Sequence, residues 1–334
     1  MRSLRNILQV LAAGALFVPC MYSAAFAADV VLRGDEKCMA CHSTVLAEKV
    51  LPIGLTRHAV KADGRTPTCT SCHGPSDRHM GSGGSDKPER LFKGAAKSPP
   101  DEINGACISC HDGGNRTLWH GSRHQTDGLA CTNCHAIHTP QDKVLSKATQ
   151  PEVCFACHKT ERAQASRISH HPILEGKVVC TDCHNPHGAQ GPKLLLKATT
   201  NETCWTCHAE KRGPFLWEHP SASDDCMNCH TPHGSSNPPL LRARAPWLCQ
   251  ECHGDGAPHP GNVYSAASLP GGRVANANNT GGIAGGNPLG AINPITGQRI
   301  TQNAPSPQMA YRACVNCHQQ IHGSNHPAGN RFLR

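Results

Sequence analysis

Twenty cysteines of this chain lie in ten copies of one five-residue pattern, Cys-x-x-Cys-His. Paired thiols could form disulfides, hold a metal ion or carry a covalently attached porphyrin. Zinc ribbons and disulfide frameworks give no reason for a His after every second cysteine. The pattern therefore indicates c-type haem attachment, in which each thiol adds to one vinyl group of a porphyrin and the His binds its iron.

Ten motifs, numbered 1 to 10 in chain order, predict ten covalently bound haem c groups with their iron. The predicted attachment residues are Cys38, Cys41, Cys69, Cys72, Cys107, Cys110, Cys131, Cys134, Cys154, Cys157, Cys180, Cys183, Cys204, Cys207, Cys226, Cys229, Cys249, Cys252, Cys314 and Cys317. The predicted proximal iron ligands are His42, His73, His111, His135, His158, His184, His208, His230, His253 and His318.

Further histidines are available for the opposite side of each iron. The chain has 23 His and only 6 Met, so bis-His ligation is the one arrangement that serves all ten haems. Two of the spare histidines, His120 and His170, fall outside the spacing pattern and are interpreted as surface or supporting residues. The candidate distal ligands, one more than needed, are His58, His79, His124, His138, His171, His187, His219, His233, His259, His322 and His326.

Most of these candidates recur at a regular spacing. One His precedes a motif, a second follows it within a few residues, and another motif comes next. Four such two-haem units begin at His58, His124, His171 and His219. The two remaining haems, attached at Cys38 and Cys314, are expected to share His259, His322 and His326. The spacing does not say which haem each His binds.

The composition is poor in core-forming residues. Leu, Val, Ile and Phe make up about 16% of the chain, below the roughly 20% at which disorder is suspected. A conventional hydrophobic globule and a membrane-embedded helix bundle are excluded. We predict a multihaem cytochrome c fold: an elongated row of stacked haems built from repeated two-haem units, mostly coil with short α-helices and little β structure. Pro151 and Pro246 predict first turns of helices that lead into attachment motifs.

Residues 1–27 have the features of a secretory signal peptide: Arg2 and Arg5 precede an apolar run, and a small-x-small cleavage site ends at Ala27. Cys20 would leave with this segment. The alternative, a lipid-modified N-terminus at Cys20, is disfavoured by the proline before it. We therefore expect export to the periplasm.

Residues 28–334 are predicted to form a single decahaem domain. Within it, the Gly- and Asn-rich segment 254–309 predicts a long loop between the ninth and tenth haems, either a flexible excursion or a docking surface. The formal net charge of +8 does not indicate nucleic-acid binding, because ten haems bring about twenty propionates that make the mature protein acidic.

Several stretches resemble the MtrA-like family of periplasmic decahaem cytochromes, with its MtoA, PioA and DmsE branches. They are the run from Cys204 to His219, the Cys-His-x-Pro-His-Gly elements at His184 and His230, and the ending Ile321-His-Gly-Ser-Asn-His-Pro. The resemblance implies a bis-His haem wire, not an enzyme, inserted into an outer-membrane β-barrel of the MtrB type.

The same resemblance implies the electron-transfer partners. Periplasmic or inner-membrane c-type cytochromes would exchange electrons with the wire on one side, and an extracellular multihaem cytochrome or terminal reductase on the other, in iron oxidation or in metal or dimethyl sulfoxide reduction. Two alternatives stay open. A soluble periplasmic shuttle needs no barrel, and a nitrite or hydroxylamine reductase needs an open iron position and often a Lys-ended motif, which this sequence lacks.

Overall fold

The computed structural model describes residues 35–42, 50–60, 65–253, 313–327 and 329–333. The predicted signal peptide at 1–27 and nearly all of the chain between the ninth and tenth motifs, including the predicted loop at 254–309, lie outside these ranges.

Short helices joined by coil make up the described ranges. The α-helices are α1 (Glu36–His42), α2 (Cys69–His73), α3 (Asp77–Gly81), α4 (Pro100–Ile108), α5 (Arg123–Thr126), α6 (Gln150–Phe155), α7 (Lys159–Ala165), α8 (Thr200–Trp205), α9 (Pro220–Asp224) and α10 (Trp247–Gln250). The 3-10 helices are Leu51–Leu55, Arg57–Ala59, Gly114–Arg116, Cys131–Asn133, Lys143–Leu145, Cys180–Asp182, Pro192–Leu194, Ala209–Lys211, Cys226–Asn228 and Cys314–Asn316. Pairing between extended segments is limited to isolated β-bridges in this part of the chain, which confirms the predicted fold class.

Each attachment motif is a single helical turn. In motif 4, for example, the backbone N–H of His135 donates to the carbonyl oxygen of Cys131 over 2.9 Å. This turn places both thiols and the imidazole along one short stretch of backbone. Pro151 lies in the first turn of α6, as predicted, where its missing N–H costs nothing. Pro246 immediately precedes α10 instead of lying inside its first turn.

Few apolar side chains are buried in the described residues. The cluster formed by Phe155, Ala165 and Ile173 contains three residues, and side chains as large as Leu145 and Ile168 are about three-quarters exposed. Packing among side chains alone therefore stabilises little of this fold, as the composition indicated. Searching the described residues for a helix long and apolar enough to cross a membrane gives none.

The loop that follows motif 6 packs closely against backbone. After motif 6, the N–H of Asn185 donates to the carbonyl oxygen of Leu194 over 2.8 Å, and Leu196 donates to Cys183 over 2.9 Å. Gly188 in this loop has a φ of +120°, and a Cβ there would lie 2.1 Å from the carbonyl oxygen of Leu118. Only glycine fits this position, because both the backbone angle and the contact exclude a side chain.

We expect the substitution Gly188→Ala to destabilise the protein. The strained backbone angle alone costs roughly 1–3 kcal/mol, and the clash with Leu118 adds to that cost. Chemical unfolding of the haem-loaded protein measures the loss. Gly113→Ala is the matched control, because a Cβ at Gly113 meets no atom within 4 Å. Equal stability of the two variants would contradict the close approach.

Candidate haem-binding site

The described structure brings histidines together in nine pairs. Each pair joins the His of one attachment motif to a His outside the motifs, and the ring centroids lie 6.0–6.2 Å apart. The pairs are His42 with His79, His73 with His138, His111 with His58, His135 with His187, His158 with His124, His184 with His233, His208 with His171, His230 with His322, and His253 with His219.

The ring separations fit a metal ion held between two imidazoles. Two bonds of about 2 Å from a metal to imidazole nitrogens, extended on each side to the ring centres, span about 6 Å. Direct stacking of two rings would bring them closer. The twenty motif cysteines form no disulfides with one another, and each is partly or fully exposed. The residues present therefore fit covalently attached haem with an imidazole on each face of the iron.

Two buried indole donors of the described residues are left without acceptors. The indole Nε1 atoms of Trp119 and Trp217 are buried and have no hydrogen-bond partner in the described structure. The Trp119 ring lies 6.4 Å from the ring of His187. Buried N–H groups normally find an acceptor, and haem propionates are acceptors of the right kind. These orphaned donors are a second observation that fits haem.

Burial keeps many of the paired imidazoles neutral. It is the main cause that lowers the pKa of His187 to about 4, with the neighbouring His135 as a further cause. Burial also lowers the pKa of His73, His111, His184, His219, His230, His233 and His322. These rings are uncharged at neutral pH, and the neutral imidazole is the form that binds a metal.

One spare histidine of each unit pairs with a motif histidine that precedes the unit. In the unit that begins at His171, this first His lies opposite His208 of the same unit, whereas the second His, His187, lies opposite His135 of the preceding unit. The other three units repeat this arrangement. Each unit thus completes one site of its own and one site before it. In none of the four units do both motif histidines pair with histidines of the same unit.

The pairs at the two chain ends differ from the sequence-based expectation. His42 of motif 1 lies opposite His79, and His322 lies opposite His230 of motif 8. The spacing pattern reserves His322 for motif 1 or motif 10, since it counts ligands unit by unit and does not say which haem each His binds. His326 is described, but His259 lies outside the described residues.

His120 and His170 are not members of the nine pairs. His120 is exposed. His170 bonds through Nδ1 to the carbonyl oxygen of Arg167 and through Nε2 to the carboxylate of Glu175. Both ring nitrogens of His170 are therefore occupied by surface contacts, which agrees with its interpretation as a supporting residue.

The thiols of neighbouring motifs interact in an alternating order. First cysteines interact in the pairs Cys38 with Cys69, Cys107 with Cys131, Cys154 with Cys180, Cys204 with Cys226, and Cys249 with Cys314. Second cysteines lie near each other in the pairs Cys72 with Cys110, Cys134 with Cys157, Cys183 with Cys207, and Cys229 with Cys252. Every motif therefore lies beside the motif before it and the motif after it, so the chain order is also the spatial order.

Comparisons with known proteins agree with this geometry. A family model described as a doubled CXXCH motif matches residues 170–213 and 219–258, and a model described as cytochrome c-type protein NrfB-like matches residues 69–150. The chain is 37% identical over 306 residues to the multiheme cytochrome MtrA of Shewanella baltica, which covers 90% of this chain and 82% of that protein. The chain belongs to the MtrA-like family of multihaem cytochromes.

Two shorter matches lie in the same class. The cytochrome c-type protein NrfB of Escherichia coli is 30% identical over 137 residues, which is 38% of this chain and 67% of that protein. The protein of the same name from Haemophilus influenzae is 32% identical over 127 residues, 34% of this chain and 53% of that protein. As an MtrA-like multihaem cytochrome, the chain binds haem c covalently and transfers electrons.

Sequence reasoning missed the residues that join consecutive motifs of this MtrA-like chain. The buried side chain of Asn104 accepts a hydrogen bond from the backbone N–H of Cys131 over 2.8 Å and donates to the carbonyl oxygen of Leu129 over 3.0 Å. Asn201 accepts in the same way from Cys226 over 2.7 Å, and Asp35 accepts from Cys69 over 2.6 Å. Each lies three residues before an odd-numbered motif. That recurring position is the signal that could have found them.

We expect Asn104→Ala to destabilise the contact between motifs 3 and 4. Removing this side chain leaves the N–H of Cys131 and the carbonyl of Leu129 without partners, which costs roughly 1–3 kcal/mol for each buried group. Chemical unfolding followed by circular dichroism measures the change. Asn115→Ala, at an exposed position, is the control and should be close to neutral. Similar effects of the two substitutions would show that Asn104 does not join the motifs.

Proposed function

We propose that the chain is a decahaem electron conduit, in which every haem iron has two His ligands. The twenty motif cysteines attach ten haems, and the motif histidines are the proximal ligands. Their paired histidines are the distal ligands, and either His259 or His326 serves motif 10. Bound haem supplies a one-electron iron couple. The nine ring pairs at about 6 Å carry this proposal, because two imidazoles close both axial positions and leave none for a substrate.

The order of the motifs supports a linear path. Each motif lies near the next through its first or its second cysteine, in alternation from motif 1 to motif 10. An electron that enters at one end can therefore pass between neighbouring haems along the whole row. A multihaem nitrite or hydroxylamine reductase needs an open iron position, so the closed pairs disfavour that alternative and favour a protein that is not an enzyme.

We extend the proposal to the outer membrane. A compact chain of this length has a radius of gyration near 19 Å, so its diameter exceeds the ~25 Å apolar band of an outer-membrane barrel. We propose that the row crosses this band inside a protein sheath, because the chain is poor in large apolar residues that could face lipid. An MtrB-like β-barrel is the partner of this role, and the match to an MtrA over 90% of the chain supports it.

The remaining roles follow from that position. The signal peptide at 1–27 exports the chain to the periplasm, where periplasmic or inner-membrane c-type cytochromes exchange electrons with one end of the row. The other end meets an extracellular multihaem cytochrome or a terminal reductase. The alternative is a periplasmic shuttle with the same haems and no barrel. The purification experiment below distinguishes it from a conduit inside a barrel.

The neighbouring residues His170 and His171 offer a test of axial ligation. In the holoprotein, His171→Ala removes the ring opposite His208, so we expect one ferric haem of ten to become high-spin. Low-temperature EPR with magnetic circular dichroism measures this signal. His170→Ala is the matched control and should leave all ten haems low-spin.

Two outcomes of this experiment would contradict the proposal. A substantial high-spin signal in the unsubstituted holoprotein would show an open iron position and favour a reductase. Unchanged low-spin spectra in His171→Ala would show that His171 is not the ligand opposite His208. Mass spectrometry of each variant gives the number of attached haems, which is expected to be ten in all three proteins.

The barrel is tested separately by purification from detergent-solubilised outer membranes of the native host. We expect the chain to co-purify with a β-barrel protein at a fixed stoichiometry, because the row can cross lipid only inside a sheath. The soluble periplasmic fraction is the comparison. Recovery of the chain from that fraction alone, without a barrel protein, would favour the shuttle.

A further inference from the structure

The proximal His of motif 4 contacts a carboxylate. Nδ1 of His135 lies 2.6 Å from Oδ2 of Asp142. The two side chains are 27% and 12% exposed, so water competes little for this hydrogen bond. Because an ionised carboxylate can only accept hydrogen bonds, Nδ1 is the atom that carries the ring proton and donates the hydrogen bond to Asp142.

The backbone holds this carboxylate in place. Oδ1 of Asp142 accepts from the N–H of Ala136 over 3.3 Å and from the N–H of Val144 over 3.4 Å. The second of these contacts caps the 3-10 helix Lys143–Leu145. With Oδ1 engaged by the backbone, Oδ2 stays directed at the imidazole.

Equivalent histidines in the repeats contact a different acceptor. Nδ1 of His184 lies 3.0 Å from the carbonyl oxygen of Lys193, and Nδ1 of His230 lies 3.1 Å from that of Pro239. The loop after motif 4 is one residue shorter than the loop after motif 6, counted from the His that follows each motif to the Lys-Ala-Thr that both loops share. The shorter loop brings a carboxylate to motif 4, where the longer loop after motif 6 brings a carbonyl.

A carboxylate acts more strongly on the imidazole than a carbonyl does. Hydrogen bonds to a charged acceptor are shorter and roughly twice as strong as neutral ones, and a carboxylate partner increases the basicity of a ligating His. A more basic axial ligand stabilises ferric over ferrous iron, which lowers the reduction potential. Reduction adds one electron, while the proton stays between Nδ1 and Asp142.

We propose that Asp142 is a positioning residue that lowers the reduction potential of the haem at motif 4 through its hydrogen bond to His135. This inference rests on the proposed role of His135 as an axial ligand. The fourth haem is then harder to reduce than it would be with the carbonyl contact found at motifs 6 and 8. Asp142 thus sets the reduction potential of one haem within the row.

Spectroelectrochemical titration of the holoprotein tests this role with the substitution Asp142→Asn. Asparagine caps helices as well as aspartate does and is still able to accept from Nδ1, but it carries no charge. We expect about one tenth of the haem absorbance change to move to higher potential. A tenfold change in the ratio of oxidised to reduced haem at a fixed potential corresponds to about 59 mV for a one-electron couple.

Asp225→Asn is the matched control. Asp225 also caps a 3-10 helix beside an attachment motif, but its carboxylate accepts from the N–H of Met227 over 2.8 Å and not from an imidazole. Both substitutions remove one charge and keep the cap. We expect the larger shift in Asp142→Asn, because only this substitution changes the charge of a ligand's hydrogen-bond partner.

The inference is overturned if Asp142→Asn shifts no potential, or if the two variants shift equally. That result is distinguishable from failure of the proposed function, because EPR of the same samples reports the axial ligands. Ten low-spin haems with unshifted potentials would reject the role of Asp142 alone. High-spin haem in the unsubstituted protein would reject bis-His ligation itself.

Discussion

The structure depends on the spacing between the two imidazole rings of each His pair. Nine times in the described chain, a motif His and a second His lie with ring centroids about 6 Å apart. That gap is too wide for ring stacking to hold the pair and matches the width of an iron with two nitrogen ligands. Since few apolar side chains are buried in the described residues, the haems that we propose between the rings would supply most of the apolar interior. The coil of the described chain is therefore arranged by ligand positions and not by a side-chain core.

Crossing of ligands between units makes the sites mutually dependent. His187 lies in the unit of motifs 6 and 7 but faces His135 of the unit before it, and the same relation recurs along the row. Amide side chains such as Asn104 add a second link, because they join an odd-numbered motif to the motif that follows it. One unit on its own would lack a ligand for one of its haems. Stability thus depends on contacts between neighbouring units, as in other repeat proteins.

The predictable part of the site was local in sequence. Cys131 and His135 lie within one helical turn, so their spacing already implied how they could meet a single haem. Pro151 marked the start of α6 for a similarly local reason. The partner of His322 could not be predicted in this local way, because the structure places His322 opposite His230, some ninety residues earlier. Contacts over such separations depend on how the loops fold, and spacing along the chain does not reveal that.

The sequence by itself determined the cofactor, the number of attachment motifs and the sparse regular structure, because covalent attachment and first-turn prolines are decided within a few residues. Only the tertiary structure decided which His faces which, the contact of Asn104 with the next motif, and the place of Asp142 beside His135. A carboxylate seven residues after a His is common in any sequence. It becomes a partner of the imidazole here because a shortened loop, held by Ala136 and Val144, turns it toward Nδ1.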